Sequence, residues 1–230
     1  MSTAPSPDHP LMDSAPLRAR AAVLAGDTQA ALAEIDAMLG EALPIHDMMG
    51  DLTASLLTFI ADRLGEEAVE DAWRWAGEDC WKPFFMAFRE TGDVEGFARA
   101  FIAFLHSHRY EFSVHEDDER WRIEVHRGTS GERMLMEGKV ERAGGAATGH
   151  HRFGATRKAY PWTLGFEDFP YYDVHSAVWM HLQPWEWEWP VLDVEYGRKD
   201  HGEVAETAFL IYKDPSARLA DPGARPGSGA

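Results

Sequence analysis

The period of the hydrophobic pattern changes at residue 109, and nothing else in the chain constrains its fold as strongly. Before that point apolar residues recur three or four apart, as on one face of a helix. From Tyr110 the stretch "YEFSVHEDDERWRIEVHRG" alternates with period two, placing Phe112 and Val114, then Trp121, Ile123 and Val125, on one face of a hairpin. The first half holds only Pro16, Pro44 and Pro83 beyond its first 14 residues, and its spacing predicts helices over 16–25, 28–42, 45–64, 66–77, 80–90 and 93–108. Over 45–64 the residues Leu52, Leu56, Leu57, Phe59, Ile60 and Leu64 mark the apolar positions, and Gly65 is the stop signal. Asp27 and Asp93 stand where helix N-caps belong.

Beyond the hairpin, "ERMLMEGKVER" reads as a further strand, "GGAATGHHRFGATRK" as a Gly-rich loop, and "VLDVEYGRKDHGEVAETAFLIYKDP" as a second hairpin turning near Gly202. A helical pattern at 174–182 lies between the two strand sets. The expected class is α+β: an N-terminal helical layer packed on an antiparallel sheet, with one further helix between the strand sets. Residues 15–108 form the helical region and 109–215 the α+β region, while 1–14 and 216–230 are too poor in apolar residues to pack and are expected to be disordered tails. "HEDDER" is a solvated hairpin tip.

At 230 residues and 45% hydrophobic, the chain can bury a sizeable core. Its 22 basic and 39 acidic residues give a net charge of −17, which repels nucleic-acid backbones and anionic lipid surfaces. With no long apolar run and no signal-peptide pattern, the expected location is the cytoplasm. The lone Cys80 follows Glu78 and Asp79, which disfavour a thiolate, and is read as a buried structural thiol. Eleven histidines include no H-E-x-x-H or similarly spaced ligand set, so neither a metal nor a cofactor is named.

Two stretches carry the candidate site. In "YYDVHSAVWMH", Val174, Ala177, Val178 and Leu182 define an apolar helix face, flanked by His175 and His181 about 120° apart, so the two cannot share one ion on a regular helix. Asp173 occupies the N-cap position. In "PWEWEWPVLDV", an extended chain would put Trp185, Trp187 and Trp189 on one face and Glu186 and Glu188 on the other, and Pro184 and Pro190 disfavour a regular helix. These indoles form either a lid on the core or an aromatic wall. With Trp162, Tyr171, Tyr172 and Trp179 they would line a pocket whose polar groups are His175, Asp173 and His181.

From 109 onward the strand order, the turn "GTSGERM", "YYDVHSAVW" and the closing "DHGEVAETAFLIYKDP" resemble the L-2-amino-thiazoline-4-carboxylic acid hydrolase-like proteins of bacteria, themselves similar to 4-vinyl reductase domains. A C-G-S-G-G-R turn and a Y-C-x-H-C helix start in those proteins correspond to residues 128–133 and 172–176 here. Asp173 and Ser176 stand where cysteines would be, and His175 alone carries over. The resemblance implies an α+β fold with a small-molecule pocket. Our expectation is an enzyme of hydrolase or lyase type acting on a small organic molecule, with His175 as acid/base and Asp173 or His181 orienting it. The alternatives are a non-catalytic binding or sensory module built on the same aromatics, and a homo-oligomer or other assembly joined through exposed tryptophans.

Overall fold

The computed structural model describes residues 13–141 and 152–226; the part of the Gly-rich segment up to residue 151, with His150 and His151, lies outside them, as do residues 1–12 and 227–230. Residues 1–49 and 50–230 form two compact units.

In the first unit, α1 (Ala15–Leu24) precedes the start of α2 (Thr28–Leu64). Arg18 ties the two helices together through Glu34 (2.8 Å) and Glu41 (3.0 Å), and the Ala15 amide donates to Glu41 (3.0 Å). Asp27 caps α2 as expected, accepting from the Ala30 amide at 2.9 Å. The predicted break at Pro44 is absent, since α2 runs through it. Pro44 forfeits one bond, to the carbonyl of Gly40, and both residues are exposed, where solvent takes up the carbonyl.

The second unit holds the remainder of α2, then α3 (Glu67–Ala76), a wide π turn (Gly77–Trp81), α4 (Lys82–Thr91) and α5 (Val94–Ser107). Gly65 and Gly92 end their helices with positive φ, and Asp93 caps α5 through the Gly96 amide at 2.8 Å. A four-stranded antiparallel sheet follows, in the order β1 (Glu111–Glu116), β2 (Arg120–Arg127), β4 (Val204–Tyr212), β3 (Leu192–Arg198). Both hairpins are as read from the sequence, with Gly202 at φ 88 in the second turn. One sheet face is dry: Ile123, Val125, Val194, Phe209 and Ile211 pack with Phe85, Phe97, Phe101 and Leu105 from α4 and α5. The other face carries polar pairs such as Arg122–Glu195 at 2.8 Å.

Three local expectations need correction. "ERMLMEGKVER" begins as α6 (Gly131–Met136), because strong helix formers run together and the adjacent Met134 and Leu135 are both buried, which strict alternation cannot achieve. Among the described residues of this stretch only Val140 makes a strand-like bridge, to Phe153. The stretch 174–186 is one helical run made of α7 (Val174–Ser176), a π turn (Ala177–Leu182) and α8 (Gln183–Glu186). Pro184 occupies the first turn of α8, where it displaces no needed donor. The tryptophans are therefore not extended, yet Trp185, Trp187 and Trp189 are buried and Glu186 and Glu188 exposed, since Glu188 takes φ 55 and reverses the chain. Finally, the tail expected to be disordered from 216 starts with α9 (Pro215–Ala220), capped by Asp214 and anchored through Arg218, which reaches Asp193 and the Pro190 carbonyl.

Candidate functional site

The polar centre of the second unit lies on the dry face of the sheet, at Glu206. Strict alternation along β4 groups Glu206 with Ala208 and Leu210, away from Phe209 and Ile211. A bulge changes that parity: Glu195 pairs with Ala208 but Tyr196 pairs with Glu206, leaving Thr207 as the extra residue. Glu206 therefore turns onto the face of Val194 and Phe209 and is 4% exposed. Three hydroxyls meet its carboxylate: Tyr110 donates to Oε2 at 2.8 Å, Ser176 to Oε1 at 2.6 Å, and Tyr196 to Oε1 at 3.2 Å.

Asp173 is the second buried carboxyl, 2% exposed. Its side chain makes no cap bond to the α7 amides, contrary to the N-cap expectation, and packs instead against the start of α6. A Cβ on Gly131 would sit 1.5 Å from Asp173 Oδ1, so glycine is what permits the approach. Burial, then the charges of Glu206 and Glu132, hold the Asp173 carboxyl well above its usual range. Its surroundings favour the protonated form.

Glu132, 5% exposed, borders this pair from α6. Burial would raise it, but Lys199 (2.8 Å), the Gly128 amide (2.6 Å) and His201 (2.8 Å) outweigh that and keep it below the ordinary carboxyl value.

His175 sits among the rings of Trp73, Tyr172 and Trp179, with centroids 5.2, 4.9 and 5.3 Å away. Its Nδ1 is 2.6 Å from the Tyr172 carbonyl, which can only accept, so Nδ1 carries the proton and Nε2 keeps its lone pair, 3.4 Å from Ser176 Oγ. Burial lowers the His175 pKa despite that carbonyl, so the imidazole is neutral at pH 7. The phenols lie in the opposite condition: burial, then the Glu206 charge, drives Tyr110 and Tyr196 well above their usual value, and burial pushes Tyr172 up to about 12. Tyr110, Tyr172, His175 and Tyr196 are each half-buried.

The remaining sequence-predicted residues lie elsewhere. His181 pairs with Asp193 at 2.6 Å, beside Arg218, and shares no partner with His175. Trp162 stacks on Tyr160 in one apolar cluster, and Tyr171 joins the same cluster with its hydroxyl on Glu66. Trp179 donates to the Trp73 carbonyl at 2.6 Å, Trp187 to Glu78 at 2.6 Å, and Trp185 lies under Arg218. Trp162, Trp185 and Trp187 are buried in the core, whereas Trp179 is half-buried and stands with Tyr172 beside His175. A separate cleft of about 140 Å³ is lined by Glu167, Asp168, Arg198 and Glu203 together with Leu135, Phe169, Pro170 and Val204, and holds none of the predicted site residues. Cys80, expected to be buried, is exposed. Among the described residues no three His, Cys, Asp or Glu side chains converge as a metal site, and no helix is long and apolar enough to cross a membrane.

Sequence reasoning missed Glu206, Tyr110, Tyr196, Ser176 and Glu132. The one available signal was a lone carboxylate inside the apolar strand "VAETAFLIY". The chain matches no protein-family model, no curated protein and no solved structure.

Proposed function

We propose that the chain is a cytoplasmic enzyme of hydrolase or lyase type that moves protons on a small organic molecule at the site bounded by Tyr110, Tyr172, His175 and Tyr196. The observation that carries this reading is a buried carboxylate held by three hydroxyls, with Asp173, a buried acid whose surroundings favour its protonated form, and His175, an imidazole whose Nδ1 is fixed on the Tyr172 carbonyl, beside it. Environments that push titratable groups apart assign their roles. Asp173 is the proton donor. His175 Nε2 is the acceptor, kept in the right tautomer by the Tyr172 carbonyl. In an elimination, Nε2 takes a proton from carbon, that C–H pair becomes the new π bond, and Asp173 protonates the departing group as its bond breaks. Glu206, engaged on both oxygens, orients Ser176 and the two phenols rather than acting as the base. The Glu206 carboxylate favours a neutral or cationic substrate over an anionic one. A chain with one cysteine suits a reducing compartment.

A binding or sensory module is the second reading, favoured by the complete engagement of Glu206. The two separate by incubating small-metabolite mixtures with the wild-type chain, Asp173→Asn and His175→Gln, and following depletion and product by mass spectrometry. A compound converted by the wild type should be converted about 10²–10⁴-fold more slowly by each variant. Equal conversion by all three removes the assignment, and saturable binding without any product favours the module.

A further inference from the structure

The cleft of about 140 Å³ beside α6 shares no residue with the Glu206 cluster. Three distant pieces of the second unit build it: the end of α6, the loop 167–170, and the strand ends Arg198 and Val204, which pair across β3 and β4. The loop is held in place. The Thr156 amide donates to the Phe169 carbonyl at 2.9 Å, the Asp168 amide to the Thr156 carbonyl at 2.9 Å, and the Phe169 amide to Thr156 Oγ1 at 3.2 Å. The cleft therefore has a preformed wall. Its buried members, Leu135, Phe169 and Pro170, are apolar, whereas its exposed ones, Glu167 and Arg198, are charged. Arg198 uses only Nη1, on the Gly202 carbonyl, which leaves its Nε and Nη2 donors without a partner among the described residues. Glu167 makes no hydrogen bond or ion pair among those residues.

We infer that this cleft binds a free α-amino acid with a small aliphatic side chain. The ligand carboxylate takes the open edge of the Arg198 guanidinium, where two parallel N–H donors match two oxygens. Its ammonium faces Glu167, and its side chain covers Leu135, Phe169 and Pro170. Neither charge suffices alone. A plain carboxylate meets the acidic rim of Glu167, Asp168 and Glu203, and a plain amine meets Arg198. The size agrees, since a cavity of about 150 Å³ holds one benzene ring and the aliphatic part of valine is smaller. Phe169 also packs on Tyr196 with ring centroids 4.9 Å apart, so the occupant stands one ring away from the Glu206 cluster. No contact is shared with Asp173, His175 or Glu206, and this binding stands or falls separately from the proposed proton transfer.

Isothermal titration of the full chain at neutral pH with three probes of one carbon skeleton reads the outcome: L-valine, L-valinol, which lacks the carboxylate, and isovalerate, which lacks the amine. L-Valine should bind at least about tenfold more tightly than either, the worth of one charge-assisted contact. Arg198→Gln should weaken L-valine by about the same factor without weakening L-valinol, and Glu167→Gln should weaken L-valine without weakening isovalerate. Both replaced side chains are exposed, so the far-ultraviolet spectrum should not change. No saturable binding of L-valine up to about 50 mM overturns the inference. So does L-valinol or isovalerate binding as tightly as L-valine, or wild-type affinity in Arg198→Gln.

Discussion

Asp173 and His175, two residues apart, pull the stability of the fold in opposite directions with pH. The Asp173 carboxyl sits above its ordinary 3.8, so the folded chain binds more protons than the unfolded one from there up to the raised value. Stability from this group is present below 3.8 and is lost as pH rises through that window, by up to ~1.4 kcal/mol per pH unit. His175 is depressed below 6.5, so its contribution is present above 6.5 and is lost as pH falls through the lowered value. Asp173→Asn, which copies the protonated acid, should therefore gain stability relative to the wild type as pH rises above 3.8. His175→Gln should gain relative to the wild type as pH falls below 6.5. Urea titrations across that range test both; a pH-independent difference for either variant means that the group is not held neutral. At this scale the sequence identified His175 and Asp173 as residues of interest, but misassigned the role of Asp173. Local spacing places its carboxyl at a helix start, and only the neighbouring α6 draws it away.

At the scale of elements, two π turns decide how the helices meet. The turn at Gly77–Trp81 widens the ladder, and side chains of the second helical run take up carbonyls just before it: Trp179 bonds Trp73 O at 2.6 Å and Gln183 bonds Arg74 O at 3.0 Å. Gly77 makes the crossing close, since a Cβ there would lie 2.0 Å from Gln183 Oε1 and 2.7 Å from the Trp179 ring. Gly77→Ala should cost about 1–3 kcal/mol in chemical denaturation by overpacking, although alanine is the better helix former in isolation. A neutral or stabilising effect would show that the helices separate freely. The bulge at Thr207 works in the same way on the sheet. Removing Thr207 deletes only the extra residue and leaves Glu206 opposite Tyr196 on the dry face, so the conversion that defines the proposed site should survive; its loss would show that the bulge does more than set the parity of Glu206. Periodicity revealed that helices and strands exist, but a π turn or a bulge leaves the period almost unaltered in sequence while re-aiming every side chain beyond it.

For the whole molecule, residues distant in sequence close the second unit. Arg218 of α9 reaches Asp193, the Pro190 carbonyl, and the rings of Tyr212 and Trp185. Asp193→Ala would leave that guanidinium, only 8% exposed, without its carboxylate, and should destabilise the fold by about 3 kcal/mol in thermal or urea unfolding. A loss near zero would show that the C-terminal helix is not anchored by this pair. The α+β class, the two hairpins and most helix limits were legible in the sequence, because they follow from repeating short-range patterns and from caps such as Asp27, Asp93 and Gly65. The assembly of Tyr110, Glu132, Asp173, Ser176, Tyr196 and Glu206 was not. Those residues span almost a hundred positions and are joined by a bulge and by a glycine that admits a carboxylate. Burial, which sets their protonation, is a property of the packed chain and of no local segment.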